Sequence, residues 1–140
     1  MENIALREVD KNDWDFVLEL RNSSYEFFYK QKKPLEKTEH YQYMEKQSGN
    51  PNFHQWIITL DQNDVGYVRI LENDIGIMIQ KNYQNKGIAT KALSLAEIKA
   101  KELGLTKLIA LVNKDNESSK KIFENNDYVL SMFWLEKEIS

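Results

Sequence analysis

Gln84-Asn85-Lys86-Gly87-Ile88-Ala89-Thr90 stands where an alternating apolar strand gives way to a long amphipathic helix. Upstream, Ile75, Ile77 and Ile79 alternate with Gly76, Met78 and Gln80, the period of a strand with one face in a core. Downstream, Ile88, Ala92, Leu95, Ala96 and Leu103 recur at helical spacing, with Lys91, Ser94, Glu97 and Lys101 on the opposite side. Gly104 ends that helix as its C′ residue. The first turn of a helix leaves backbone N–H groups unpaired with the macrodipole behind them, so an anion docks there without basic side chains. Gly87 lets a pyrophosphate come close to the backbone.

Working outward, Ile4 to Arg7 predicts a short first strand, and Asn12 or Asp13 caps a helix whose face carries Trp14, Val17, Leu18 and Arg21. Asn22-Ser23-Ser24 interrupts it, and the aromatic run from Tyr25 to Tyr29 leads to a basic cluster and Pro34. A second short helix is expected from Thr38 to about Gln47. After the turn at Ser48 to Asn52, the stretches 56–60 and 65–71 read as a hairpin, and a turn at 72–74 feeds the strand before Gln84. Lys107 to Val112 predicts a strand, Ser118 to Glu124 a helix, and Tyr128 to Ile139 one or two closing strands.

The chain of 140 residues reads as one domain, 1–140, large enough to bury a core. Nineteen Lys and Arg against 22 Asp and Glu give −3 and a pI near 5.5, which argues against wholesale binding of nucleic acid or an anionic membrane. Without cysteine there is no disulfide, thiol nucleophile or thiolate metal site. His40 and His54 lie apart from any carboxylate pattern of a metal site, so no metal is expected. No run approaches the ~18 apolar residues of a membrane span, and the N-terminus lacks a signal pattern, so a cytoplasmic protein is the default.

Gln84-x-x-Gly87-x-Ala89 resembles the Gln/Arg-x-x-Gly-x-Gly/Ala motif of the GNAT superfamily of N-acetyltransferases, and the β-α-α-β-β-β-α-β-α-β order matches that fold over nearly the whole chain. The resemblance implies an α+β (mixed α/β) architecture: a mostly antiparallel sheet of six to seven strands with about four helices, splayed to form an acetyl-CoA cleft. Residues 1–55 would form mainly the acceptor side and 56–140 the acetyl-CoA side. It further implies that backbone groups of Ile77, Met78 and Ile79 pair with the pantetheine arm. The amides of Asn85, Lys86, Gly87, Ile88, Ala89 and Thr90 would then hold the pyrophosphate behind Gln84. Gly76 fits a bulge that would start the splay. Asn116 takes the place of the family's Asn beside the cofactor, and also reads as an N-cap. Phe123 stands where family members often carry a Tyr that protonates the leaving thiolate.

The implied chemistry is attack by a primary amine on a thioester. The amine must first lose a proton, and a backbone N–H near Met78 would hold the oxyanion. Asp74 is the first candidate base, since it shares a face with Gly76 and Met78; His40 is the second and Glu72 the third. Arg21-Asn22, the aromatic segment beginning at Tyr25, and His40 are similar to a pattern in acetyltransferases of nucleotide-linked amino sugars. Arg21 would pair a diphosphate and Tyr25, Phe28 or Tyr29 would stack on a base or sugar ring. A protein N-terminal or lysine acetyltransferase, or a domain that binds acetyl-CoA without useful turnover, remains open as an alternative. Trp134 and the C-terminal strand read equally as monomer core or as the edge of a homodimer.

Overall fold

The computed structural model describes residues 3–23 and 33–139. Strands β1 (Ile4–Glu8), β2 (Phe53–Leu60), β3 (Asn63–Leu71) and β4 (Asp74–Ile79) form one antiparallel sheet in that order. Helices α1 (Trp14–Ser23) and α2 (Lys37–Ser48) join β1 to β2, while α3 (Ile88–Glu102) and α4 (Glu117–Asn125) follow β4.

Strand alternation sorts the apolar residues into two cores, one on each face of the sheet. Trp56, Ile58, Val68, Ile70 and Ile75 pack against Ile88, Ala92, Leu93, Ala96 and Ala100 of α3 and Phe123 of α4. Ile57 and Tyr67 point the other way, to Trp14, Val17 and Leu20 of α1 and Met44 of α2. The sheet is therefore the middle layer of three, and its central strands are apolar on both sides.

β1 is tied to the start of α1 by a two-pronged ion pair: Arg7 Nη2 donates to Asp13 Oδ1 at 2.7 Å and Nη1 to Oδ2 at 2.9 Å. Arg7 holds the Asp13 carboxyl below the usual range, so this contribution is present above pH 3.8 and is lost as pH falls further. At its far end α3 closes as expected. Gly104 has φ +87°, its N–H donates to the Lys101 carbonyl, and the Leu105 N–H reaches back to Ala100.

Three expectations are corrected. The register of β3 with β4 runs unbroken from Leu71–Asp74 to Gly66–Ile79, so Gly76 carries no bulge. The irregularity lies instead between Ile58 and Thr59 on β2, opposite Val65. Beside it, a Cβ on Gly66 would come within 2.6 Å of the Met78 carbonyl oxygen. Next, residues 107–112 form no strand; a parallel bridge joins Ile109 to Asp74, through Ile75 N–H to Ile109 O at 2.9 Å and Ile109 N–H to Asn73 O at 2.8 Å. Finally, residues 128–139 form no strand, so the sheet has four strands among the described residues rather than six to seven. Among the described residues no helix is long and apolar enough to cross a membrane.

Candidate active site

The single bridge at Ile109 decides the geometry of the site. Ile75 donates outward to Ile109, so by alternation the backbone groups of Ile77 and Ile79 face the same way. Beyond the bridge no strand pairs with that edge of β4 among the described residues. Here the sheet opens. Met78 belongs to the set that pairs with β3, opposite Tyr67, so its amide is directed into the sheet. Of the three residues expected to line the opening, Ile77 offers its backbone directly. Ile79 offers its amide while its carbonyl accepts from Gln84 Nε2 at 2.9 Å.

That hydrogen bond folds the Gln84 side chain back on β4 and starts the turn into α3. Asn85 at φ +61° and Gly87 at φ +79° turn the chain in two left-handed steps into the first turn of α3. Gly87 is the N-cap and provides no side-chain acceptor, so the amides of Ile88, Ala89 and Thr90 have no cap. A Cβ on Gly87 would meet nothing within 4 Å: the space beside the helix start is open. The side chains of Gln84, Asn85 and Lys86 are exposed, whereas Ile88 anchors the turn in the core. An uncapped helix start behind a glycine, next to unpaired strand backbone, fits the pyrophosphate and amide arm of a CoA thioester.

Asn116 caps α4, its Oδ1 accepting from Ser119 N–H at 3.1 Å, with Nδ2 left as a donor. Phe123 is buried and meets Tyr128 edge to face at 5.1 Å, so no phenol occupies its place. The Tyr128 hydroxyl is itself buried, and burial raises its pKa. Asn126 escaped the sequence reading. Its Nδ2 donates to Thr90 O at 3.2 Å and Ser94 Oγ at 3.3 Å, clamping the end of α4 onto the first turn of α3.

The opposite face of the sheet carries the acceptor-side candidates. Asp74, Gly76 and Met78 share it with Tyr67 and Arg69. Arg69 lies across Gly76, where a Cβ would come within 3.1 Å of the guanidinium carbon, and Nη1 donates to the Asp74 carbonyl at 2.7 Å. The Asp74 carboxylate is 3.6 Å from the same nitrogen. Arg69 was also missed; its signal is the lone cation of β3, within the run Val65–Leu71 and directly opposite a glycine. Arg21 reaches this face from α1, its guanidinium 5.1 Å from the Tyr43 ring centroid. Burial, with Arg69 nearby, lowers its pKa, and no ion pair among the described residues involves it.

Asn22 and His40 are engaged in the scaffold. The Asn22 amide clamps Leu35, accepting from its N–H at 2.8 Å and donating to its carbonyl at 3.0 Å. His40 is fully buried between α1 and α2, with Nε2 2.8 Å from the Trp14 carbonyl and Nδ1 without a hydrogen-bond partner among the described residues. Nε2 is therefore the donor, and burial lowers the pKa of the ring. A His depressed below its unfolded value of about 6.5 stabilises the fold above that pH and withdraws the stabilisation as pH falls. The unfolding free energy from urea titration should drop between pH 7 and pH 5, by about 1.4 kcal/mol for each tenfold of lost proton affinity. His40→Gln should flatten that slope. Tyr25, Phe28 and Tyr29 lie outside the described residues. Among the described residues no three His, Asp or Glu side chains group as a metal site would require.

A four-stranded antiparallel sheet between two helical layers, opened beyond β4 beside an uncapped glycine-led helix, is the frame of an acyl-CoA-dependent transferase. The chain belongs to the GNAT acetyltransferase domain family, whose pattern matches residues 3–129. It is 31% identical over 134 residues to an uncharacterized protein of Methanocaldococcus jannaschii, covering 87% of this chain but 27% of that longer protein. It is 27% identical over 130 residues to the spermidine N(1)-acetyltransferase of Escherichia coli, covering 86% of this chain and 70% of that enzyme. Among solved structures, a domain from M. jannaschii superposes with a TM-score of 0.82 at 29% identity, covering 94% of this chain and 91% of that one. The spermidine N-acetyltransferase of Vibrio cholerae, solved with CoA and spermine, superposes at 0.84 with 19% identity, covering 97% and 86%. At that identity the likeness speaks for the fold.

Proposed function

We propose that this chain transfers an acetyl group from acetyl-CoA to the primary amine of a small anionic acceptor, a nucleotide-linked amino sugar being the specific reading. Arg21 carries the reading. It is a desolvated guanidinium beside Arg69, with no carboxylate of its own among the described residues, on the face where the acceptor must enter. An arginine so placed suits the fork of a phosphate or diphosphate. A polyamine would meet two cations there. The curated spermidine acetyltransferase relatives favour a polyamine acceptor as the second reading, and the local charge argues against it.

Acetyl-CoA supplies the activated acetyl group; the residues of this chain do the rest. Asp74, at the closed end of the opening and on the acceptor face, takes a proton from the acceptor ammonium, whose pKa near about 10 would otherwise keep it unreactive. His40, sealed in the core, is worse placed for that task. The freed amine nitrogen bonds to the thioester carbonyl carbon while the Ile77 N–H, facing the opening, donates to the oxyanion. The C–S bond then breaks, and the second proton that the nitrogen sheds passes through water to the thiolate. With a thiol pKa near about 8.5 that leaving group tolerates Phe123 in place of a phenol.

The test is acetylation of matched acceptors. Arg21→Gln should raise KM for a nucleotide-linked amino sugar about 10- to 100-fold with kcat nearly kept, as expected when one charge-assisted contact is lost. Spermidine turnover should be weak in both proteins. Strong spermidine turnover that Arg21→Gln leaves unchanged or improves would transfer the assignment to the polyamine.

A further inference from the structure

Gly76 stands in the middle of β4 with no left-handed φ and no break in the register beside it, and a glycine inside a strand weakens the strand. What it provides is a seat. A Cβ built there would lie 3.1 Å from Cζ, 3.1 Å from Nη2 and 3.4 Å from Nε of Arg69. Distances so nearly equal mean that the flat face of the guanidinium, not an edge, rests on Gly76. Its edges are then turned along the surface of the sheet. Nη1 is engaged by the Asp74 carbonyl at 2.7 Å, while Nε and Nη2, which make the side-on fork of an arginine, donate to no acceptor among the described residues. The Arg69 side chain is 26% exposed, so an incoming molecule reaches that fork.

Arg21 brings a second fork to the same face. Its neighbour Leu20 lies in one core cluster with Tyr67, two residues before Arg69, and its guanidinium is held against the Tyr43 ring. Burial lowers the pKa of Arg21, and the charge of Arg69 adds to the effect. The Tyr67 hydroxyl donates to Gln55 Oε1 at 2.7 Å and so competes for neither cation. Asp74 is the one carboxylate within ion-pair reach of either arginine among the described residues, and at 3.6 Å from Nη1 it is beyond a good hydrogen bond. Two guanidinium groups with free forks thus converge where the acceptor must enter.

We propose that Arg69 is the second arm of a diphosphate clamp, its Nε–Nη2 fork taking one phosphate while Arg21 takes the other. This clamp rests on the anionic acceptor proposed above and narrows it to an acceptor whose amine stands one sugar ring away from a diphosphate. Two like charges held near each other repel until an anion lies between them. A single phosphate fills one fork and leaves the other cation uncompensated, whereas a diphosphate fills both, so the pair selects a diphosphate over a monophosphate. The bond from Arg69 to the Asp74 carbonyl adds alignment. The arm that grips the phosphate is anchored on the backbone of the residue that takes the proton, so anion and amine are held in one frame.

The probes are inorganic pyrophosphate and inorganic phosphate, titrated calorimetrically into protein saturated with CoA so that the start of α3 is already filled. Pyrophosphate should bind about tenfold more tightly than phosphate, or better. Arg69→Gln should erase that preference. Gly76→Val should erase it too, because the arginine and its charge remain while a side chain takes the place where the guanidinium rests; the strand backbone at Gly76 accepts valine. If Arg69 only braced Asp74, both variants would keep the preference, and that result overturns the clamp. In turnover, the KM advantage of a nucleotide-linked amino sugar over the same amino sugar 1-phosphate should shrink about tenfold in Arg69→Gln. An advantage that Arg21→Gln reduces and Arg69→Gln and Gly76→Val do not would overturn the clamp and leave the anionic acceptor standing. A protein that acetylates neither anionic amine and binds pyrophosphate no better than phosphate would overturn both.

Discussion

Gly87→Asp should weaken acetyl-CoA binding by about 100-fold or more while the ligand-free protein keeps its fold. The asymmetry follows from what surrounds Gly87. A Cβ there meets nothing within 4 Å among the described residues beyond its chain neighbours, so the first atom of a side chain enters open space. The φ of +79° does strain any L residue, by about 1–2 kcal/mol, although Asp and Asn tolerate the left-handed region better than most. What the carboxylate opposes is the use made of the helix start: uncapped amides and the positive end of the macrodipole, waiting for an anion. An Asp at this position takes the place of the pyrophosphate and repels it. Gly87→Asn separates the two effects, since it has the same shape and backbone strain but no charge. It should lose about tenfold at most. Calorimetric titration with acetyl-CoA, beside melting curves without ligand, checks both numbers. Equal loss in the two variants would mean that backbone strain dominates; unchanged affinity in both would place the pyrophosphate elsewhere.

The same glycine shows how much of this site was legible in the sequence and how much was not. The strand before it and the helix after it announce themselves by periodicity, and α3 begins at Ile88 and turns at Gly104 as the pattern requires. Local rules suffice there because one residue's chemistry fixes one turn. Register is a different matter, as it depends on which strand lies opposite. Gly76 looked like a bulge, yet its purpose is to let the Arg69 guanidinium cross the sheet, a contact visible only once Gly76 and Arg69 are known to pair. The burial of His40 was hidden for a similar reason. Its burial with Met44, one helical turn on, marks the inward face of α2, but a lone polar residue in a mostly polar helix hides that face until the Trp14 carbonyl supplies its partner. Residues 107–112 and 128–139 were expected as strands from their apolar, β-prone composition, and neither forms one. Whether such a segment becomes a strand depends on what pairs with it, which propensity does not encode.

Asp74→Asn should lower kcat/KM by about 100- to 10,000-fold at neutral pH, the usual contribution of a positioned base, and the deficit should shrink as pH approaches that of the free amine. At high pH the acceptor is already neutral and has no proton to give up; at low pH the variant depends on the small neutral fraction, so its rate should fall tenfold per pH unit. The structure provides a control against a merely structural effect. Arg69 holds the backbone carbonyl of Asp74 at 2.7 Å and its carboxylate only at 3.6 Å, so the shorter contact survives the change to Asn. If Asp74 served only to position Arg69 over Gly76, the loss would be the same at every pH, and Arg69→Lys would reproduce it. If neither variant changes the pH profile, the proton leaves by water. The buried His40 offers no alternative unless the core between α1 and α2 opens during turnover, and in that case His40→Gln would alter kcat as well as the acid limb of stability.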